Sequence, residues 1–200
     1  FFVFVCLFWL HLGFAQSIIR GFNTQQTPLW GMRSYNNDPL KVRYYTFQNG
    51  LTLITSNQKT SPRVYTMIAV RTGSKNDPAT NTGLAHYLEH MLFKGTDKYG
   101  SLDWKKEEPL LKQIDGLYEL YNHTTDPVKR KSIYHAIDSI SQAAAKFAIA
   151  NEYDKMCQAL GAEGTNAFTS NDETVYINDI PSNMVSKWLS LEAERFRNPI

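Results

Sequence analysis

Five consecutive residues, His86-Tyr87-Leu88-Glu89-His90, carry the sharpest chemistry in the chain. On an α-helix, residues i and i+4 share one face a turn apart, so the imidazoles of His86 and His90 can reach a single ion. Glu89 stands one residue before His90 and three after His86, at the edge of that face. There its carboxylate can approach a metal-bound water without being drawn into the coordination shell. Zinc lowers the pKa of such a water towards about 7, and a carboxylate within reach can take the proton as the oxygen attacks a carbonyl. The order of Glu and second His is the reverse of the HExxH arrangement, which is the inverzincin form. The alternative is an amphipathic helix with two surface histidines. Against it, Leu84, Ala85, Leu88, Met91, Leu92 and Phe93 crowd the motif with apolar side chains. The pattern predicts a buried helix, whose imidazoles and carboxylate then need a partner.

Such a helix must be held by other elements, and the rest of the sequence supplies them. Residues 42–47 and 51–55 read as strands joined by Asn49-Gly50, a strong hairpin signal. Residues 64–72 form a longer apolar run that suits a central strand covered on both faces. A polar loop containing Asp77-Pro78 follows, and the motif helix runs over about residues 83–93. Residues 105–155 predict a helical hairpin. Leu110, Ile114, Leu117 and Tyr121 mark one stripe; Ile133, Ile137, Ile140, Ala144 and Phe147 mark the other. Residues 166–169 and 174–178 read as strands about a turn. Asp179-Ile180-Pro181-Ser182 then opens an amphipathic helix through Met184, Val185, Trp188, Leu189 and Leu191. The expected fold class is α+β with a largely antiparallel sheet.

Composition sets the outer limits. The chain has 200 residues, 42% hydrophobic and 20% charged, enough for one domain with a real core. A formal net charge of +2 gives no basis for nucleic acid as a partner. Residues 1–10 are almost wholly apolar, and small residues at Gly13 and Ala15 fit cleavage of a secretory signal peptide after Ala15. No Met or basic stretch precedes the run, so residues 1–15 read as an N-terminally clipped signal peptide. Residues 16–40, rich in Gln, Asn, Ser, Thr and Pro, read as an irregular lead-in. Beyond residue 15, Cys157 is the one cysteine, so no internal disulfide is expected. Export with a single cysteine points to the bacterial periplasm or to secretion.

The flanks of the motif carry a resemblance. Gly83-Leu84-Ala85-His86-Tyr87-Leu88-Glu89-His90-Met91-Leu92-Phe93-Lys94-Gly95-Thr96 resembles the signature of the pitrilysin (M16) family of zinc metallopeptidases, which includes insulin-degrading enzyme and the mitochondrial processing peptidase. Asn49-Gly50-Leu51-Thr52 is similar to the family's opening hairpin, and Arg71-Thr72-Gly73-Ser74 to the end of its next strand. Gly161-Ala162, Asn166-Ala167-Phe168-Thr169-Ser170 and Glu173-Thr174-Val175-Tyr176 resemble its substrate-strand region. The resemblance covers about residues 40–200.

It implies a half-domain of the pitrilysin type over residues 41–200, with residues 102–153 as an inserted helical hairpin. His86 and His90 would bind one Zn2+, Glu89 would act as general base on its water, and Asn166, Ala167 and Thr169 would pair with an extended or unfolded peptide. It further implies a third ligand, a Glu on a helix beyond Ile200, and a second peptidase-like domain or subunit closing a chamber. Within the chain, Glu163 and Glu173 flank the substrate strand but do not match the family's ligand position. Two other functions stand beside the endopeptidase. One is a non-catalytic peptide-binding partner subunit of an active peptidase. The other is a metalloenzyme like S-ribosylhomocysteine lyase, with Cys157 as third ligand.

Overall fold

The computed structural model describes residues 2–5, 22–197 and 199. Among the described residues, eight strands form one sheet: β1 (Phe2–Val5), β2 (Phe22–Gln26), β3 (Trp30–Tyr35), β4 (Arg43–Phe47), β5 (Thr52–Ser56), β6 (Arg63–Val70), β7 (Glu163–Thr169) and β8 (Thr174–Pro181). Five α-helices accompany them: α1 (Leu84–Met91), α2 (Trp104–His123), α3 (Pro127–Ala144), α4 (Glu152–Ala159) and α5 (Val185–Arg197). The strand order is β2-β3-β4-β5-β1-β6-β8-β7, and among the described strands only the β1–β6 pair is parallel. The α+β class with a largely antiparallel sheet is therefore what the chain adopts. No helix among the described residues is long and apolar enough to cross a membrane.

The chain divides into two compact units, Phe1–His90 with Met156–Glu192 and Met91–Lys155 with Ala193–Ile200. In the first, Asn49-Gly50 turns β4 into β5 as expected, with Gly50 at φ 86, a conformation that only glycine adopts cheaply. Strand β6 carries the apolar run, and β8 pairs with it along its whole length, from Arg63↔Pro181 to Val70↔Thr174. Val64, Ile180 and Trp188 are buried together, with Ile68, Leu160, Ala162 and Val185 packed on them. This cluster clamps α5 to the β6–β8 pair. Strand β7 forms the sheet edge, bulged between Glu163 and Asn166, where Gly164 takes φ 60.

The second unit contains the helical hairpin. Asp103 caps α2, and its hydrogen bond to Lys106 holds the Asp103 carboxyl below the usual carboxylate range. Asp126 caps α3 by accepting from Val128 N–H at 2.8 Å and Lys129 N–H at 3.2 Å. Ile137 and Ala144 are buried, and Leu110, Ile114, Leu117 and Tyr121 are half-buried, so both apolar stripes face inward as read.

Three expectations change. The lead-in at 16–40 is not irregular where it is described: β2 and β3 form an antiparallel hairpin continuing into β4. Its turn is closed by Thr27, whose N–H and hydroxyl both reach the Trp30 carbonyl at 2.9 Å. Polar strand residues conceal the period-2 pattern there. Secondly, Asp179, Ile180 and Pro181 end β8 rather than open a helix; α5 starts after a single 3-10 turn at Ser182–Met184. Thirdly, residues 2–5 of the apolar N-terminal run lie as β1 between β5 and β6. The rest of that run, including the expected cut after Ala15, lies outside the described residues.

Trp188 is 2% exposed and joins helix to sheet, so Trp188→Ala should cost about 3–5 kcal/mol. A urea unfolding midpoint unchanged from the native protein would show that this cluster does not hold α5 to β6 and β8.

Candidate metal centre

Helix α1 is only 8 residues long, too short to stand by itself, and its first turn is tied down from outside. Asp77 accepts from Gly83 N–H at 2.7 Å and from Ala85 N–H at 2.8 Å. Its carboxylate thus satisfies orphan donors at the positive end of the helix. Tyr87 N–H closes the first turn onto the Gly83 carbonyl.

Two i, i+4 pairs then point in different directions. Ala85 and Glu89 are buried, at 6% and 5% exposure, whereas His86 and His90 are exposed. The expected burial of the whole helix does not hold: Leu84, Tyr87 and Leu88 are exposed too. A helix lying on a sheet buries one stripe, and here that stripe runs through Ala85 and Glu89.

The His86 and His90 Nε2 atoms are 3.2 Å apart, with ring centroids 4.8 Å apart and planes inclined at 43°. Two imidazole nitrogens on one tetrahedral zinc at about 2.0–2.1 Å would stand about 3.3–3.4 Å apart. The observed spacing fits a shared ion. A ligand atom from each of His86, Glu89 and His90 lies within 4.8 Å of the others, and no further His, Cys, Asp or Glu joins them among the described residues. The two imidazoles suit zinc as ligands, and the Glu89 carboxylate stands beside them.

Cys157 is buried and outside this group, which removes the observation on which the lyase-like reading rested. Glu163 pairs with Arg63 at 3.5 Å instead. At Glu173 the backbone is held by Ser170, whose N–H donates to the Glu173 carbonyl at 2.8 Å. Neither acid lies in the cluster.

Strand β7 alternates, with Thr165, Ala167 and Thr169 half-buried and Asn166 and Phe168 exposed. The Thr169 hydroxyl donates to Glu89 Oε2 at 2.6 Å, so one of the three expected substrate residues points its side chain at the expected base. Asn166 Oδ1 accepts from Ala167 N–H at 2.9 Å. The turn after β7 is fastened by the loop after β6. Ser74 N–H donates to the Ser170 carbonyl at 2.9 Å, Lys75 N–H to the Asn171 carbonyl at 3.1 Å, and Ser74 Oγ to Asn171 Oδ1 at 3.0 Å. Lys75 also pairs with Asp172.

Gly73 makes this approach possible: a Cβ there would stand 2.4 Å from the Ser170 carbonyl oxygen and 2.6 Å from the Asn171 carbonyl carbon. Gly73, Asp77 and Thr174 stand in segments that the sequence marks as a strand end, a polar loop and a strand, with nothing in it that assigns them to the site. The period-2 alternation through Thr165, Ala167 and Thr169 was the available signal that Thr169 faces the helix.

Three comparisons bear on the site. Residues 52–110 match the family described as insulinase (peptidase family M16). An insulin-degrading enzyme homolog of Dictyostelium discoideum is 32% identical over 117 residues, covering 52% of this chain and 11% of that protein. The uncharacterized zinc protease YmxG of Bacillus subtilis (strain 168) is 38% identical over 55 residues, covering 28% of this chain and 13% of its own. The crystal structure of pitrilysin superposes on 90% of this chain and 14% of its own length, with a TM-score of 0.52 and 17% identity. That likeness establishes the fold. The chain thus spans about a tenth to a seventh of the proteins it matches.

Gly73→Ala forces backbone against backbone, and overpacking of this kind costs about 1–3 kcal/mol. The variant should unfold at lower urea than the native protein, and an unchanged midpoint would mean that the loop yields without cost.

Proposed function

We propose, from the membership of this chain in the insulinase family of peptidases (M16), that it carries the helix-borne part of a zinc endopeptidase site acting on extended or unfolded peptides. The observation that carries the proposal is the pair of Nε2 atoms 3.2 Å apart with a buried carboxylate one residue away. His86 and His90 would hold the ion through those nitrogens. When bound, zinc supplies Lewis acidity, polarising the scissile carbonyl and making water a better nucleophile. Glu89 takes the proton of the attacking water at Oε1, which accepts no hydrogen bond among the described residues, and passes it to the leaving amine.

A catalytic zinc site has three protein ligands. With no further candidate in the described cluster, the third comes from outside it, and a Glu from the rest of the protein fits the donor set. Strand β7 is the sheet edge, where an extended peptide can add as a further strand and take main-chain hydrogen bonds beside Asn166, Ala167 and Thr169. Tyr87 and Leu88, exposed at 61% and 51%, give a second peptidase-like domain or subunit an apolar surface to cover. A purely peptide-binding partner subunit would not need Glu89 buried beside paired imidazoles, and nothing favours that reading.

In the full-length natural protein, Glu89→Gln should retain zinc while hydrolysis falls by at least about 10²-fold. Turnover near the native rate would remove Glu89 from the base role. His86→Ala should instead lose the metal, as read by zinc content after dialysis. Strand addition predicts a difference between substrate states: one polypeptide should be cut when unfolded and spared when folded. Equal rates on both forms would contradict pairing along β7.

A further inference from the structure

The buried environment of Glu89 contains one donor whose purpose the family membership does not supply. Thr169 Oγ1 lies 2.6 Å from Glu89 Oε2, short for a hydrogen bond and charge-assisted when the carboxylate is ionised. A second hydroxyl, that of Thr174, lies 3.4 Å from Thr169 Oγ1 and donates to the Thr72 carbonyl at 2.9 Å. Each hydroxyl has one proton to give. The Thr174 proton is taken by Thr72, and an ionised carboxylate can only accept, so the Thr169 proton goes to Glu89. The Thr169–Thr174 contact then carries no proton, and the direction of every other bond is determined.

The scaffold makes this direction hard to change. Thr169 and Thr174 are paired residues on either side of the β7–β8 turn. That turn is clasped by Ser74 and Lys75, and Asp77 in the same stretch caps α1. Donor and acceptor are therefore fastened to the same loop from two sides.

We propose that Thr169 is a positioning residue for Glu89. Its hydroxyl holds Oε2 and turns the carboxylate so that Oε1 is the oxygen offered to the reaction. This rests on the peptidase reading above, although the hydrogen bond itself does not require it. The side-chain role is separate from any backbone pairing of Thr169 with a peptide.

The test uses the full-length natural protein and the variants Thr169→Val, which keeps the shape and removes the proton, and Thr169→Ser, which keeps the proton. Losing a hydrogen bond to a charged group should lower kcat by about tenfold or more in the valine variant. KM and zinc content should stay within about twofold of native, and serine should restore most of the rate, since neither the strand nor the imidazoles have changed. A second readout needs neither metal nor turnover. In the zinc-free protein, Thr169→Val should lower the urea midpoint when Glu89 is present and should have no effect in the Glu89→Ala background.

A kcat within about twofold of native in the valine variant overturns the proposal. So does a loss shared by zinc content, or a serine variant as impaired as valine, because either marks Thr169 as merely structural. If Glu89→Gln hydrolyses peptides normally, the peptidase reading fails instead. The unfolding comparison then still decides whether Thr169 holds Glu89: equal midpoint shifts in both backgrounds would mean it does not.

Discussion

Glu89 and Thr169 lie eighty residues apart in sequence, and loop 72–77 ties the elements that bring them together. At one end, the Thr72 carbonyl accepts from Thr174. In the middle, Ser74 and Lys75 bind the turn between β7 and β8 through backbone and side chain. At the other end, Asp77 satisfies two N–H groups at the start of α1. None of these bonds is strong alone, since a net protein hydrogen bond contributes about 1 kcal/mol. Their value lies in sharing one short stretch of backbone: α1 cannot slide along the sheet without dragging the turn, and the turn cannot lift without releasing Gly73. That glycine permits the closest approach, because any side chain would occupy the space of the Ser170 and Asn171 carbonyls.

The order of residues in the motif follows from this packing. Successive helical residues differ by about 100°, so Ala85 with Glu89 and His86 with His90 form two adjacent stripes. The first stripe rests against the sheet, where β7 offers a hydroxyl to Glu89; the second faces outward, where an ion and its further ligands have room. A carboxylate immediately before the second histidine is necessarily on the buried side of the pair. The same spacing that sets the two imidazole nitrogens 3.2 Å apart gives the Glu89 carboxylate a buried seat beside them.

Much of this is legible in the sequence. The Asn49-Gly50 hairpin, the apolar run of β6, the stripes of α2 and α3, and the histidine pair all depend on local periodicity, which sequence displays directly. The β2–β3 hairpin is not, because Asn23, Thr24, Gln25 and Gln26 show no apolar alternation and its turn is closed by a Thr27 side chain. Apolar residues around a motif indicate that a helix packs, but not which face does, so α1 is less buried than its composition suggests. Leu84, Tyr87 and Leu88 are exposed although they are as hydrophobic as many core residues. The hydrogen bond from Thr169 to Glu89 is least visible of all, since it joins a strand and a helix through a loop whose path no periodicity encodes.

Threonine suits its place for reasons that a longer polar side chain would not meet. It is β-branched, so few χ1 rotamers are open to it and the backbone of β7 largely decides where its hydroxyl points. A lysine or glutamine there would lose about 1.5–2 kcal/mol of rotamer freedom to reach the same oxygen. It would also bring surplus donors into a half-buried position, where unpaired polar groups are costly. With Thr174 already committed to Thr72, Thr169 has one proton and one acceptor at 2.6 Å, the Oε2 of Glu89. The Glu89 carboxylate is thereby held in direction by a group that does not itself change charge, which suits the base role proposed for it.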